Sequence, residues 1–305
     1  MPESFINIHS ISEFHRYYSL ESPKHPLVSV IDLTKIKRKD ADSAQHFHHL
    51  GLYAAVYKKF DGSFKYGRSD YDFQEGALMF IAPDQIVQTS SDTDTEIDEG
   101  WFLAFHPDFI YGSELGKKIR NYTFFDYSSN EALYVSDEEK KTLETIISAI
   151  QTEYSKNIDR HTQGLILNNI ELLLNYCDRF YERQFFTRSK VSNDILHNFE
   201  QLLNHYFDDE NLIDKGIPEV KYFAEKLYLS SNYLSDLLTK YSGKTTIEHI
   251  HLRLVDKAKN LLLGTSKSIS EIAYELGFEH PSHFTKVFKT KTGLSPLHFR
   301  KNQIS

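Results

Sequence analysis

Short apolar runs separated by polar and turn residues fill the first third of the chain, and this alternation is typical of β-strands. Four such runs predict strands: Leu27–Leu33, Leu52–Tyr57, Leu78–Ala82 and Trp101–Phe105. Asp61-Gly62-Ser63 and Glu75-Gly76 predict turns between them. Because no helical pattern separates these strands, we expect an antiparallel β-barrel or sandwich over about residues 20–130 and not a parallel sheet.

From Ser136 onward the apolar residues recur every three or four positions, which is the period of a helix. Ser136 and the three acidic residues after it predict an N-cap and a first helical turn. A second helix is expected from about His161 to Phe186, so that a helical pair covers about residues 136–186. One face of this second helix carries an apolar seam: Ile166, Ile170, Leu173, Cys177 and Phe180. The seam suits packing inside the subunit and pairing between subunits equally well, and its residues are candidates for a homodimer interface.

Two stretches near the C-terminal end repeat one pattern, at about residues 219–242 and 269–292. Each predicts a short helix, a tight turn and a second helix, which is a helix-turn-helix motif. The copies share a small residue at the helix crossing, a serine expected as N-cap and a glycine that ends the second helix: Ala224, Ser230 and Gly243, then Ala273, Ser282 and Gly293. Between the copies, Thr246 to Leu263 predict an amphipathic linker helix, about 27 Å long. A helix of that length can hold the two second helices near the ~34 Å that separates successive major-groove faces of DNA.

Charge is distributed unevenly along the 305 residues, whose net charge is −8. From Ile217 to Ser305 there are 13 Lys and Arg against 8 Asp and Glu, whereas the preceding 216 residues hold 22 basic and 35 acidic side chains. An acidic front and a basic back predict that only the C-terminal part meets a polyanion. The length, roughly twice the ~150 residues of an average domain, predicts two domains.

The segment from about Phe199 to Arg300 resembles the DNA-binding domain of the AraC/XylS family of bacterial transcription regulators. The stretches that carry the resemblance are Ser231–Leu238, Ile269–Phe278, Phe284–Lys289, Thr292–Pro296 and Phe299–Arg300. The preceding part is similar to the family's regulatory half in layout only. The resemblance implies a two-domain α+β chain: an N-terminal cupin-like antiparallel β-barrel with a helical pair, and a C-terminal all-α domain with two helix-turn-helix motifs joined by a linker helix.

The domains expected from this resemblance are residues 1–186 for regulation and dimerisation, a linker at 187–198, and a DNA-binding domain at 199–305. The resemblance implies a sequence-specific transcriptional regulator, not an enzyme, that binds double-stranded DNA across two successive major-groove faces. It also favours a homodimer, and it leaves open whether the protein responds to a small-molecule effector and whether it contacts RNA polymerase. The effector, the operator sequence and the choice between activation and repression stay open.

Exposed positions near the front of each second helix are the candidate base contacts in such a motif. They are Ser231, Asn232, Ser235 and Asp236 in the first copy, and Ser282, His283, Thr285 and Lys286 in the second. Asparagine can pair with adenine and lysine can donate to guanine. Asp236 either accepts from cytosine or pairs with a neighbouring lysine, because phosphate repels a carboxylate. Candidate phosphate contacts at the helix ends are Lys240, Lys244, Lys289 and Lys291.

The run His46-Phe47-His48-His49 raises the alternative of a cupin-type, metal-dependent enzyme. The rest of that pattern is missing, since Leu52 and Tyr53 stand where a carboxylate would fall and Asp84–Gln88 contain no histidine. Catalytic metal sites use about three protein ligands, so no metal, cofactor or catalytic residue is expected. Two further hypotheses stay open: a small-molecule-binding protein with an incidental helical domain, and a DNA-binding protein whose front half only dimerises.

The single cysteine, Cys177, can form no internal disulfide, and a free thiol favours the cytosol. Residues 1–20 lack the apolar core of a signal peptide, and no run approaches the ~18 apolar residues of a membrane span. We therefore expect a cytoplasmic protein without a membrane partner.

Overall fold

The computed structural model describes residues 4–36, 46–60, 64–66, 69–71, 76–89, 97–128, 131–156, 158–187, 189–208 and 212–304. The chain divides into two compact units, residues 1–186 and 187–305. Strands occur in the first unit, and the described part of the second is helical. The expected mixed α+β class, a sheet region followed by a helical region, is thereby confirmed. The predicted turn at Asp61-Gly62-Ser63, and Glu75 of the second predicted turn, lie outside the described residues.

The described strands of the first unit are β1 (Ser4–Ile8), β2 (Val28–Asp32), β3 (His46–Leu50), β4 (Tyr53–Phe60), β5 (Phe64–Tyr66), β6 (Ser69–Tyr71), β7 (Ala77–Ile81), β8 (Gln85–Thr89), β9 (Ile97–Phe105) and β10 (Leu133–Tyr134). One sheet has the order β10-β7-β4-β9-β2, a second has the order β1-β3-β8, and β5 pairs with β6. The four predicted strands are confirmed as β2, β4, β7 and β9. The pairing of β1 with β3 is parallel, which corrects the purely antiparallel expectation. These two strands run in the same direction because the chain between them crosses the other sheet as β2.

The described helices of the first unit are α1 (Ile11–Tyr17), α2 (Pro107–Ile110), α3 (Glu114–Lys118), α4 (Asp137–Ser155) and α5 (Thr162–Thr187). Ser136 caps α4 as predicted, since its Oγ accepts from the backbone N–H of Glu139 at 3.4 Å and the Glu139 carboxylate accepts from Ser136 N at 2.9 Å. The same carboxylate accepts two hydrogen bonds from Arg183, at 3.0 and 2.6 Å. One capping residue therefore also holds α5 against the start of α4.

The central strands β4 and β9 are covered on both faces over Tyr53–Tyr57 and Trp101–Phe105, which explains why these two segments are continuously apolar. On one face, Val56 and Phe102 share a hydrophobic core with the smaller sheet and α1, and Phe14 of α1 stacks on Phe102 with ring centroids 4.7 Å apart. On the other face, Tyr57 and Trp101 are buried and stack at 5.9 Å. The two sheets therefore share one interior.

The apolar seam of α5 faces the interior of the first unit. All five of its residues are buried within a single chain: Ile166, Ile170, Leu173, Cys177 and Phe180. The intramolecular core thus accounts for the seam, and the homodimer interface expected from these residues has no exposed surface in this chain. Burial also raises the pKa of the Cys177 thiol well above its ordinary value. A face of α5 that flanks the seam, about 110° round the helix from it, exposes Leu165 and Leu172.

The described helices of the second unit are α6 (Ser189–Asp208), α7 (Leu212–Lys215), α8 (Val220–Leu227), α9 (Ser231–Ser242), α10 (Thr246–Gly264), α11 (Ile269–Glu275), α12 (Pro281–Thr292) and α13 (Pro296–Ile304). Helix α6 runs through most of the segment expected to be a linker. One hydrophobic core joins these helices, with Phe199, Phe223, Leu254, Ile272 and Phe284 at its centre. In the described part of the chain, every helix is too short or too polar to cross a bilayer.

Gly277, between α11 and α12, lies very close to the backbone of neighbouring residues in this core. Its φ is +82°, and a Cβ there would lie 2.7 Å from the carbonyl oxygen of Leu212 and 3.0 Å from the Cα of Gly216. At Gly243 φ is +71°, but a Cβ would have no heavy atom within 4 Å. We expect Gly243→Ala to lower the free energy of unfolding by about 1 kcal/mol through backbone strain, and Gly277→Ala by about 2–4 kcal/mol through strain and overlap.

Urea unfolding followed by far-UV circular dichroism measures this difference in the helices. The fluorescence of Trp101, the single tryptophan, reports the first unit separately and should keep its midpoint in both variants. Equal losses in the two variants would contradict a close approach at Gly277.

Candidate nucleic-acid interface

The turn between α8 and α9 is closed by backbone hydrogen bonds around a small residue. Ala224 is buried in α8, and its carbonyl oxygen accepts from Leu229 N at 2.9 Å. Tyr228 between them adopts a left-handed conformation, with φ +59°. Ser230 then caps α9 as predicted, since its Oγ accepts from Tyr233 N at 3.2 Å. These contacts fix the direction in which α9 leaves the turn.

The turn between α11 and α12 is closed in the same way. The carbonyl oxygen of buried Ala273 accepts from Phe278 N at 3.0 Å, and Gly277 takes the left-handed position. The start of the second helix differs from the prediction. The N-cap is His280, which makes no side-chain capping bond, and Ser282 lies inside α12. Proline at position 281 explains the difference, because its fixed φ and missing N–H suit the first helical residue.

All eight candidate base contacts lie in the first half of α9 or of α12. Ser282, His283 and Lys286 are exposed, whereas Ser231, Asn232, Ser235, Asp236 and Thr285 are half-buried. Two of the half-buried hydroxyl groups already make contacts within the unit. Ser235 Oγ accepts from Thr246 N at 3.4 Å, and Thr285 Oγ1 donates to the carbonyl oxygen of Pro281 at 3.0 Å. The most accessible polar groups therefore belong to α12.

The four candidate phosphate contacts differ in their surroundings. Lys289 is exposed in the last turn of α12, and Lys240 is half-buried on α9. Lys244 Nζ donates to the carbonyl oxygen of Ser242 at 3.4 Å. Lys291 Nζ lies 3.3 Å from a carboxylate oxygen of Glu248 on α10, forming an ion pair. Of the four, Lys289 is thus the best placed for a phosphate.

Helix α10 is anchored at both ends and along its length. At its start, Thr245 and Glu248 form a capping box. The Nε2 of His249 lies 2.7 Å from Ser242 Oγ at the end of α9. At its other end, the carbonyl oxygen of Leu262 accepts from Arg300 Nε at 2.9 Å.

Two further bonds hold α10 to α6. Arg253 donates to the side chain of Asn204, and Lys257 Nζ donates to the carbonyl oxygen of Phe207 at 2.5 Å. The sequence contains the capping-box signature at Thr245–Glu248, but the contacts to α6, α9 and α13 join residues far apart in sequence and have no local signal.

Two histidines on α10 have pKa values below their ordinary value of 6.5. Burial is the main cause for His249, and the ammonium of Lys244 adds to it. Burial also dominates for His251, with further lowering from Lys291 and His283. Their surroundings therefore favour the neutral form of both imidazoles.

Two of the histidines that suggested a metal site contact different side chains. His48 is buried, with ring centroids 5.6 Å from Tyr17 and 6.3 Å from Tyr18, and His49 Nε2 lies 3.6 Å from a carboxylate oxygen of Asp84. The side chain of His46 lies outside the described residues. Among the side chains that the structure describes, no three metal-ligating groups come close enough to hold an ion.

Comparison with known proteins finds a family match within the second unit and relatives that match different shares of the chain. Residues 223–302 match a protein family described as a helix-turn-helix domain. YfiF of Bacillus subtilis, an uncharacterized HTH-type transcriptional regulator, is 27% identical over 79% of this chain and 73% of its own length. The transposon Tn10 TetD protein of Escherichia coli is 31% identical over 45% of this chain and 86% of its own length.

A solved structure from Chromobacterium violaceum, described as a transcriptional regulator with an AraC-type DNA-binding domain, is also similar. It is 22% identical, with a TM-score of 0.32, over 37% of this chain and 94% of that one. Two more relatives are matched over only 22% and 62% of their own length.

The lowered pKa values of His249 and His251 give stability a pH dependence of known sign. Both histidines have a lower pKa in the folded chain than the unfolded value of 6.5. At pH values between the folded and unfolded pKa, the unfolded chain therefore binds more protons. The stabilisation is complete above pH 6.5 and is lost as the pH falls towards the folded pKa values. We expect the second unit to lose stability as the pH falls from about 6.5 towards 5.5, a range above the ordinary carboxyl pKa values.

Urea unfolding across that range, followed by far-UV circular dichroism, measures the slope. The double variant His249→Gln/His251→Gln should show a flatter slope, whatever its stability at a single pH. His197→Gln, at an exposed position of α6, is the matched control. A double variant with the wild-type slope would show that other groups cause the pH dependence.

Proposed function

Because the chain belongs to the AraC/XylS family of transcriptional regulators, we propose that it binds specific double-stranded DNA sites through two helix-turn-helix motifs, α8–α9 and α11–α12. The observation that carries this proposal is the repeated geometry of the two pairs. In both, the alanine carbonyl closes a left-handed turn and a second helix of 12 residues follows. A linker helix of 19 residues, about 28 Å long, joins them. The two second helices then enter successive major-groove faces on one side of the duplex.

Exposed polar groups support a DNA-facing role for α12. Lys286 and Lys289 lie three positions apart on α12, and both are exposed. His283 is exposed one turn earlier, beside Phe278. The excess of basic residues after Ile217 supplies the sequence-independent attraction to phosphate that such motifs use.

For the first unit we propose the regulatory role. Residues 1–186 form a cupin-like domain, with a barrel at about 20–130 and the helical pair at about 136–186, that dimerises and responds to a small-molecule effector. Residues 199–305 are the DNA-binding domain, and 187–198 connect the two. Support comes from the shared interior of the two sheets and from the division of the chain near residue 186. We further propose that the protein acts in the cytoplasm, contacts RNA polymerase there and has no enzymatic activity.

The proposed homodimer requires a surface other than the buried seam. Leu165 and Leu172 lie seven residues apart on the exposed flank of α5 beside the seam and are 46% and 44% exposed. Residues at this spacing share one helix face and suit a lengthwise contact with a second copy.

Leu172→Glu tests this surface. We expect the variant to sediment as a folded monomer, because a charge in the centre of the contact would be buried without a partner. Lys141→Glu, at an exposed position of α4, is the control and should leave the dimer intact. A dimeric Leu172→Glu variant would place the interface elsewhere.

Two lysines on α12 test the DNA-binding proposal and separate base from phosphate contacts. A site is first selected from random duplexes, and affinity is then measured over a range of salt concentrations. Lys286→Ala removes a base contact and should cost ~1–3 kcal/mol while relaxing preference at one base pair. Lys289→Ala removes a phosphate contact, weakens binding to all sequences alike and lowers the salt slope by about one.

One control variant lies in the first unit, and one further test variant lies on α9. Lys117→Ala removes an exposed charge from α3 of the first unit and should leave binding unchanged. Asn232→Ala on α9 should relax a second base position about ten base pairs away. If only the α12 variants alter binding and the footprint covers one groove, the first motif does not read bases and the two-groove proposal fails.

A further inference from the structure

One carboxylate, that of Glu248, connects the start of the linker helix with the end of α12. Its Oε2 accepts from the backbone N–H of Thr245 at 3.0 Å, which closes the N-terminus of α10. Its Oε1 lies 3.3 Å from the Nζ of Lys291, in the last turn of α12. The two residues are 43 positions apart, so the pair is a tertiary contact and not a local helix pair.

The surroundings keep both partners in place. The side chains of Lys291 and Glu248 are 24% and 40% exposed. The backbone N–H of Thr245 and the Lys291 ammonium lower the pKa of the Glu248 carboxyl, so it is charged at neutral pH. Because its second oxygen is fixed by the cap, the carboxylate is already oriented towards Lys291 and loses little rotational freedom in the pair.

The same end of α10 is attached to α9. Ser235 Oγ accepts from Thr246 N at 3.4 Å, and Ser242 Oγ lies 2.7 Å from His249 Nε2. A continuous set of polar contacts therefore runs from α9, through residues 245–249, to the end of α12. These are the two helices that the proposed function places in the DNA.

Helix geometry separates Lys291 from the exposed lysines of α12. At 3.6 residues per turn, Lys286 and Lys289 project from nearly the same face. Lys291, two positions after Lys289, projects about 200° further round, and its ammonium meets α10. A phosphate would have to compete with the Glu248 carboxylate for the Lys291 ammonium, whose charge the pair already offsets.

From these contacts we propose that the Glu248–Lys291 pair sets the spacing at which the two motifs engage DNA. Lys291 is then a positioning residue and not the phosphate contact that its place near the helix end predicts. This inference rests on the proposed function, since it needs two motifs that bind one duplex. The pair holds the C-terminal end of α12 against α10 and thereby fixes the separation of the two reading helices.

Glu248→Gln and Lys291→Met test the proposal on two-site operators with the selected spacing and with one base pair inserted or removed. Glutamine keeps the capping bond but removes the charge. Both variants should bind the selected operator about two- to fivefold more weakly, as expected for a partly exposed pair. Both should also lose part of the wild-type discrimination against altered spacing, with the salt slope unchanged.

A phosphate contact predicts a different salt slope for Lys291→Met and a change of opposite sign in affinity for Glu248→Gln. Lys291→Met would then lower the salt slope by about one, and Glu248→Gln would strengthen binding by freeing the lysine and removing a negative charge. Lys291→Arg keeps the ion pair and should retain the wild-type spacing preference. The double variant should be no weaker than either single variant, because both remove the same interaction.

Far-UV circular dichroism during urea unfolding confirms that each variant is folded before its binding is compared. Failure of the inference and failure of the proposed function give different results. If the wild type binds the two-site operator and the variants keep its spacing preference, the positioning role is overturned. If the wild type does not distinguish two-site from one-site DNA, the proposed function fails and the inference fails with it.

Discussion

The second unit depends on how closely two helices can approach across a short turn. Ala224 and Ala273 satisfy this requirement, since both are buried at the crossing and each carbonyl accepts the hydrogen bond that closes the following turn. A larger side chain would separate the helices, break that bond and change the direction of the next helix. The exposure of Ser282, His283 and Lys286 follows from this constraint, because the closed turn sets the direction of α12.

The linker helix turns two similar motifs into a single unit. Its capping box, its bonds to α6 and its contact with Arg300 fix α10 at several points. The first motif reaches α10 through Ser235 and Ser242, which lie on α9 itself. The second reaches it through Lys291 at the far end of α12. The motifs are therefore alike in their turns, but side-chain hydrogen bonds attach the first to the linker and an ion pair attaches the second.

Prediction from the sequence succeeds where the structure is determined locally. The cap at Ser136, the repeated alanines, the terminating Gly243 and Gly293, and the strand cores follow from spacing and residue type, and the structure has them. The predicted start of α12 is wrong because proline at position 281 determines it more strongly than the serine after it. Strand β1 and helix α1 are missing from the prediction, although Ser10 is a local start signal for α1, where its side chain accepts from Glu13 N.

Contacts between distant residues cannot be derived in this way. Periodicity shows that α5 has an apolar face but not that the same chain covers Ile170 and Leu173. Likewise, a lysine near a helix end gives no sign that Glu248 lies beside it. Patterns along the chain define faces, and only the folded chain shows what each face meets.

Because Cys177 is buried, the reactivity of this single thiol reports the opening of the first unit. The thiolate is the reactive form, and the raised pKa together with complete burial suppresses it while α5 stays in the core. A thiol reagent can reach Cys177 only in molecules whose α5 has moved away from the sheets. The rate at which the reagent labels Cys177 in the native protein therefore measures how often α5 opens. Any compound that stabilises the packing of α5 in the core lowers that rate.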